Sequence, residues 1–289
     1  MSWILSALSD EAGAAPQEQV RALREAGIRY VDLRSIGEHN IASLPVDQAR
    51  ELQQMLQDAG VRVQMFASPI GKIDISEDFQ ADLDRLNHLG ELASVFNCHS
   101  IRIFSYFNRA GRDKGQWQSQ AIDRLTQLAD RADRLGLTLY HENERHIFGE
   151  TLARVQAIAE AFHGRDTFKF IFDFDNYVQA GEDPWDNWLA LRDRTDAIHL
   201  KDSTRQGVHV PAGQGDGRVR EILSDALKRN WRGPLTLEPH LVHSAAVVAT
   251  GPSGSGNEQL KDLGPYGCFQ LAAREVHKLL RDIGAELAD

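Results

Sequence analysis

The chain has 289 residues, 42% of them hydrophobic, enough to bury a sizeable core and within the range of an α/β barrel. Its formal net charge of -10 argues against a broad electropositive surface for nucleic-acid backbones or anionic membranes, since binding phosphate depends on Lys and Arg. Only Cys98 and Cys268 occur, far apart in sequence, so reduced core thiols are expected rather than a disulfide framework or a Cys-rich zinc site.

The start, from Met1 to Glu11, lacks a basic n-region and meets Asp10 and Glu11 after too few apolar residues for a signal peptide or membrane span. The expectation is a soluble, cytoplasmic protein. Strand-like runs follow at 4–8, 30–34, 61–66, 101–104, 137–142, 168–173, 197–201 and 235–238. They alternate with helix-like segments at 16–26, 45–59, 79–96, 116–135, 152–162, 219–229 and 269–283. Such alternation is the pattern of parallel βα units with helical crossovers. Three of the helices stop at Gly27, Gly60 or Gly136 just before the next strand, where a left-handed residue closes the helix without a Cβ clash. Eight units without a break in composition predict a single α/β (β/α)8 TIM barrel over residues 1–289, forming one catalytic domain. A Gly/Ser-rich stretch at 250–257 reads as a mobile loop after the eighth strand.

Four strand-like runs end on a polar residue: Glu142, Asp173, His199 with Lys201 behind it, and Glu238. Side chains alternate along a strand, and the outer face of a barrel strand must pack on helices. Placing Glu142 inward leaves Leu137, Leu139 and His141 outward; Asp173 inward leaves Phe170 and Phe172 outward. His199 inward leaves Ile198 and Leu200 outside, and Glu238 inward leaves Leu235 and Leu237 outside. All four strands agree, with His141 the polar exception, read as packed against a helix or supporting the site. The polar residues that parity turns inward also include Arg34, Arg102, Lys169 and Lys201.

Parallel barrels converge their C-terminal strand ends on one face, where such enzymes place their sites. Three carboxylates gathered there would repel one another unless a cation compensates them. Glu142, Asp173, His199 and Glu238 are therefore candidate ligands for a divalent metal. Three oxygen donors and one imidazole suit Mn²⁺ best, then Mg²⁺ or Co²⁺; zinc usually takes more nitrogen or sulfur.

The chain resembles the sugar phosphate isomerase/epimerase group of xylose isomerase-like TIM barrels, which includes ketose 3-epimerases and inosose dehydratases. The carriers are Val31-Asp32-Leu33-Arg34, Ser68-Pro69-Ile70-Gly71-Lys72, Ile101-Arg102-Ile103-Phe104-Ser105, His141-Glu142-Asn143, Asp173-Phe174-Asp175-Asn176, His199-Leu200-Lys201-Asp202, Gly213-Gln214-Gly215 and Leu237-Glu238. The resemblance implies metal binding by the same four residues, with Glu142 and Glu238 as the acid/base pair. A bound divalent ion would polarise a carbonyl, and a carboxylate on either side could remove the adjacent proton and return one. The expected substrate is a keto-sugar or related polyol, and the expected activity isomerisation or epimerisation.

Arg34, Ser68, Lys72, Asn176, Lys201 and His209 form the expected substrate-binding set, with Phe107 and Tyr177 as stacking candidates. Arg102 is expected to fill the polar interior, and Trp185, Trp188 and Trp231 to anchor the core. A metal-dependent lyase or dehydratase is the nearest alternative, because proton abstraction beside a carbonyl is common to both classes. An apurinic endonuclease is disfavoured: Asn176 stands where a histidine ligand would be expected, strands three and four lead into Ser68 and Ser105, and no basic DNA track is evident. A homo-oligomer is compatible with the sequence, but no helix is apolar enough all round to mark an interface.

Overall fold

A computed structural model describes residues 2–288 of the chain. Eight parallel strands, β1 (Ser2–Ala7), β2 (Tyr30–Leu33), β3 (Arg62–Phe66), β4 (Ser100–Ile103), β5 (Thr138–Glu142), β6 (Phe168–Asp173), β7 (Ala197–Leu200) and β8 (Pro234–Leu237), curl into a (β/α)8 barrel. Neighbours in sequence are neighbours in the sheet from β2 to β8, and β8 then pairs with β1, placing Thr236 opposite Ser6. The β1–β2 join is bridged by side chains. Asp32 of β2 accepts from Ser6 Oγ at 2.6 Å and from Thr236 Oγ1 at 2.7 Å, linking both sides of the seam. A short strand, β9 (Glu286–Leu287), extends the sheet at the start of β1.

The helices are α1 (Pro16–Glu25), α2 (Val46–Asp58), α3 (Gln80–Phe96), α4 (Lys114–Leu135), α5 (Leu152–Ala161), α6 (Phe174–Gln179), α7 (Pro184–Leu191), α8 (Val219–Lys228), α9 (Ala245–Ala249) and α10 (Gly264–Asp282). Gly27, Gly60 and Gly136 take φ of 68°, 69° and 68° at the turns where α1, α2 and α4 end. Asp113 caps α4 by accepting from the Gly115 and Gln116 amides. The sequence pattern passed over α6 and α7 because each spans fewer than three turns, too few for an apolar stripe to repeat. Local chemistry nevertheless marks them: Asp173 caps α6, while Asp183 and Pro184 open α7.

Strand β6 illustrates how alternation builds two unlike cores. Phe168, Phe170 and Phe172 face the helices, with Phe168 stacked on Phe162 at 3.8 Å and Phe172 edge-on to Trp188 at 5.6 Å. Ile171, on the opposite face, belongs to a small separate apolar cluster with Met65 and Ala197, against which Tyr140 packs. The main hydrophobic core thus lies between sheet and helices, and among the described residues the small cluster of Met65, Ile171 and Ala197 stands apart from it as an apolar plug inside the barrel. Above the plug the interior is charged.

Trp188 is buried in the main core, and Trp185 and Trp231 pack against it. Tyr177 corrects the expectation of a stacking platform: it is fully buried on α6, against Phe172 at 5.1 Å. Cys98 and Cys268 are buried free thiols. The 250–257 stretch follows α9 and is tied down by hydrogen bonds: the Ser255 amide donates to Gly207 O at 2.8 Å, and His209 N donates back to Ser255 O at 3.0 Å. Among the described residues, no helix is long and apolar enough to cross a membrane.

Candidate metal centre and active site

Glu142 and Asp173 are the last residues of β5 and β6, His199 is the penultimate residue of β7, and Glu238 follows the end of β8. Ladder register sets Asp173 beside His199, with Glu142 paired to Ile171 and Thr236, two residues before Glu238, paired to His199. All four side chains are buried, and one donor atom from each lies within 4.8 Å of the others. His199 Nδ1 stands 3.0 Å from Glu142 Oε1 and 2.9 Å from Glu238 Oε2. Asp173 Oδ1 is used up as the α6 cap, accepting from Asn176 N at 2.8 Å. Its Oδ2 and Glu142 Oε2 are buried without a hydrogen bond, although Lys201 Nζ and Arg102 Nη1 stand at ion-pair distances of 3.1 and 3.2 Å. Buried carboxylate oxygens left in this state fit a cation-binding role, and the donor set suits a hard divalent ion.

The electrostatics follow from crowding. Burial pushes Glu142 upward, yet His199 and Arg102 outweigh it and hold the carboxyl at about 2. Glu238 is likewise raised by burial but drawn well below the usual range by Lys201, His199 and His240. Burial drives Asp173 well above the usual range, with the Lys201 ammonium only a partial offset. Burial disfavours a charged His199, but the two flanking glutamates raise it to about 10, so the metal-free site holds an imidazolium between two carboxylates.

A second layer of charge lies beside the first. Arg34 Nε donates to Asp10 at 2.8 Å, Nη1 to Glu238 Oε1 at 3.1 Å and Nη2 to Glu11 at 3.5 Å, all buried. His240 Nδ1 lies 2.8 Å from Glu11 Oε1. Glu11, Glu238 and His240 also come within ligand distance of one another, but the Arg34 guanidinium already compensates both carboxylates. Asn143 fixes the β5–β6 junction, accepting from Asp173 N at 2.8 Å and donating to Asp173 O at 3.0 Å.

The residues expected to contact substrate divide in two. Lys72, Asn176 and Lys201 line the tight space above the carboxylates, with Arg102, Asp175, Glu144 and His240. Arg34 lines the wider cavity beside it, although its donors are committed to Asp10, Glu11 and Glu238. Ser68 and His209 correct the expectation. The Ser68 hydroxyl is buried and donates to Arg102 O at 2.6 Å, so it braces the β4 backbone. His209 is also buried, behind Asp175 at 3.4 Å, with Nδ1 3.0 Å from Ser255 O. His141 does face outward, its Nε2 3.0 Å from Ser105 Oγ, and burial lowers it to about 3, so it stays neutral.

Sequence reasoning missed Asp10, Glu11, Asp175 and His240. Glu238-Pro239-His240 carried a faint signal, a histidine two residues beyond a ligand-type glutamate. Asp10 and Glu11 gave none, since their partners Arg34 and His240 lie far away in the chain.

A family model described as xylose isomerase-like TIM barrel matches residues 20–262. The chain belongs to that family. A curated relative, the 3-dehydroshikimate dehydratase of Bacillus anthracis, is 21% identical over 188 residues, 64% of this chain and 66% of that protein, just under two thirds of the relative's length. Among solved structures, 3-keto-D-glucoside 4-epimerase from E. coli has a TM-score of 0.70 at 14% identity, covering 97% of this chain and 100% of that one. A xylose isomerase-like protein from Mycobacterium smegmatis in complex with magnesium gives 0.71 at 16% identity, with 99% and 98% covered. IolI with a bound zinc atom gives 0.74 at 12% identity, with 96% and 98% covered. Within this family, then, one barrel fold carries different named reactions.

Proposed function

We propose that the protein is a divalent-metal-dependent isomerase or epimerase acting on a keto-sugar or related polyol. The observation that carries this reading is the buried pair Glu142 and Glu238, which meet at one atom, His199 Nδ1, at 3.0 and 2.9 Å, with Asp173 presenting a further unbonded oxygen. Glu142, Asp173, His199 and Glu238 would hold the metal, with Mn²⁺ preferred on donor type, Mg²⁺ and Co²⁺ next, and zinc, found in one structural neighbour, less suited. Bound there, a divalent ion supplies Lewis acidity to a carbonyl and its neighbouring hydroxyl. Glu142 and Glu238 then divide the proton work: one carboxylate takes the proton beside the carbonyl, and the other delivers to the opposite face a proton that it has first taken up from solvent. Both are held ionised by their cationic neighbours, as a base must be at neutral pH. In this reading Lys201 and Asn176, which line the space over the carboxylates, would donate to substrate oxygens, and Lys72 and Arg34 would form the wall of the approach.

The test is to load the protein with Mn²⁺ in deuterated water and follow keto-sugars, keto-inositols and keto-glycosides by NMR. Deuterium entering the carbon next to the carbonyl, with an epimer or aldose–ketose isomer as product, is the expected result. No exchange with any member of the panel sinks the reading.

A lyase or dehydratase reading is favoured by the Bacillus anthracis relative and by Lys201, whose buried ammonium could protonate a departing oxygen. The same experiment separates the two, since loss of a β-oxygen gives an unsaturated product.

A further inference from the structure

Acidic residues outnumber basic ones by 42 to 32 in this chain, so a cavity with the reverse balance calls for a cause. Beside the carboxylates the barrel mouth opens into a cavity of about 860 Å³, within the size range of small-ligand sites. Its charged lining is Arg34, Lys72, Arg102, Arg109 and Arg154 against Glu150 alone. Three of these cations are already matched: Arg34 to Asp10, Glu11 and Glu238, Arg102 to Glu142, and Lys72 to Glu144 at 2.9 Å.

Arg109 and Arg154 remain. The Arg109 guanidinium lies over the Phe107 ring at 4.8 Å; its charge is felt by Asp74, but that carboxylate is occupied by the Ser76 hydroxyl and by the Ser76 and Arg109 backbone amides. Arg154 lies over Trp117 at 4.9 Å, and its carboxylate neighbour, Glu150 at 3.7 Å, is shared with Arg145 at 3.9 Å. Stacking on a ring orients a guanidinium while leaving its in-plane N–H donors available. Neither arginine forms an ion pair with a proposed metal ligand, so their charge is not needed to balance that site.

We propose that Arg109 and Arg154 bind an oxyanion on the substrate, a carboxylate or phosphate ester at the end remote from the reacting carbonyl. The assignment of which end reacts rests on the carbonyl chemistry proposed for Glu142 and Glu238; the anion site does not. Continuity supports the geometry, because Lys72 and Arg102 line both this cavity and the space over the carboxylates. A molecule anchored at the rim would therefore lie next to the space over the glutamates, with Lys72 and Arg102 at the boundary. The substrate class becomes an acidic or phosphorylated keto-polyol rather than a neutral sugar.

Calorimetric titration of the metal-loaded protein with sorbitol, gluconate and sorbitol 6-phosphate isolates the charged terminus, since none has a carbonyl to turn over. One or both anions should bind at least about tenfold more tightly than sorbitol, as charge-assisted bonds to arginine imply. The preferred anion identifies carboxylate or phosphate as the natural group. The preference should vanish in R109Q/R154Q, whose folding is checked by circular dichroism, and weaken in R109Q alone, where the exposed side chain makes misfolding no concern. Equal binding of all three probes, or an anion preference that survives the double substitution, overturns the proposal. Failure of deuterium exchange would count against the carbonyl chemistry and leave this result standing.

Discussion

From β5 to β8 the strand ends deliver Glu142, Asp173, His199 and Glu238, with two carboxylate oxygens left without hydrogen bonds. Across the barrel, the β1, β2 and β4 ends deliver Asp10, Glu11, Arg34 and Arg102, and there the acids and guanidiniums are paired with one another or with the opposite half. Both halves are buried and highly charged, and they differ in how the charge is matched: Asp10 and Glu11 each meet the Arg34 guanidinium, although Asp10 Oδ1 is left unbonded, whereas Asp173 Oδ2 and Glu142 Oε2 are left unbonded beside His199 and Glu238. Burial of charge is tolerable only with a partner, so the half whose carboxylates each meet a guanidinium reads as a wall, and the half that gathers three carboxylates and an imidazole within 4.8 Å reads as a site. Glu238 belongs to both, with Oε2 turned to His199 and Oε1 to Arg34.

The largest expected effect comes from breaking the site half. Glu142→Gln or Glu238→Gln removes a proton carrier while keeping an oxygen, and should lower deuterium exchange on an identified substrate by about 10³-fold with metal still bound. Full exchange in either variant would show that the carboxylate is only a ligand.

Breaking the wall should act on stability. Arg34→Met leaves the buried Asp10 without its ion-pair partner and takes one cation each from Glu11 and Glu238, and urea unfolding should show a loss of about 3–5 kcal/mol. A loss under about 1 kcal/mol would mean that water reaches these carboxylates once the guanidinium is gone.

The two halves differed in legibility. Strand alternation exposed the site half, because Leu137, Leu139, Phe170 and Phe172 had to face helices and so turned Glu142 and Asp173 inward. Barrel closure then gathers four residues spread from 142 to 238 within 4.8 Å. The wall was hidden, since Arg34 meets Asp10 and Glu238 only after β8 returns to β1. Nothing in the sequence near Arg34 announces its three carboxylate partners. Ser68 and Tyr177 misled for a local reason: a hydroxyl or a ring after a strand end looks available in sequence, but a backbone carbonyl claims one and the helix layer the other.

A third effect is smaller and pH-dependent. His199 is raised from 6.5 to about 10 by its glutamates, so the metal-free protein carries the imidazolium at pH 7. A metal ligand must be the neutral ring, and the proton has to leave as metal enters. Apparent affinity for Mn²⁺, measured against a competing chelator, should therefore climb by up to about tenfold per unit from pH 6 to 8. The stabilisation that the metal-free protein draws from this pair is fully present below 6.5 and is lost as pH rises through about 10. An affinity flat across that range would mean the proton is absent before metal arrives.

The smallest effect grades the wall itself. Lys72 and Arg34 line the same cavity and each pairs with a glutamate, Lys72 to Glu144 at 2.9 Å and Arg34 to Glu238 at 3.1 Å. Distance alone would rank the Lys72 pair higher. Exposure reverses the order: the Lys72 and Glu144 side chains are each 15% accessible, whereas the Arg34 side chain is 2% accessible and meets three carboxylates. Water near Lys72 lowers the Coulomb gain and can resolvate Glu144 once its partner is removed. Lys72→Met should therefore change unfolding stability by no more than about 1 kcal/mol, against several for Arg34→Met. Equal losses in the two variants would show that contact distance, not burial, sets the worth of each cation in the wall.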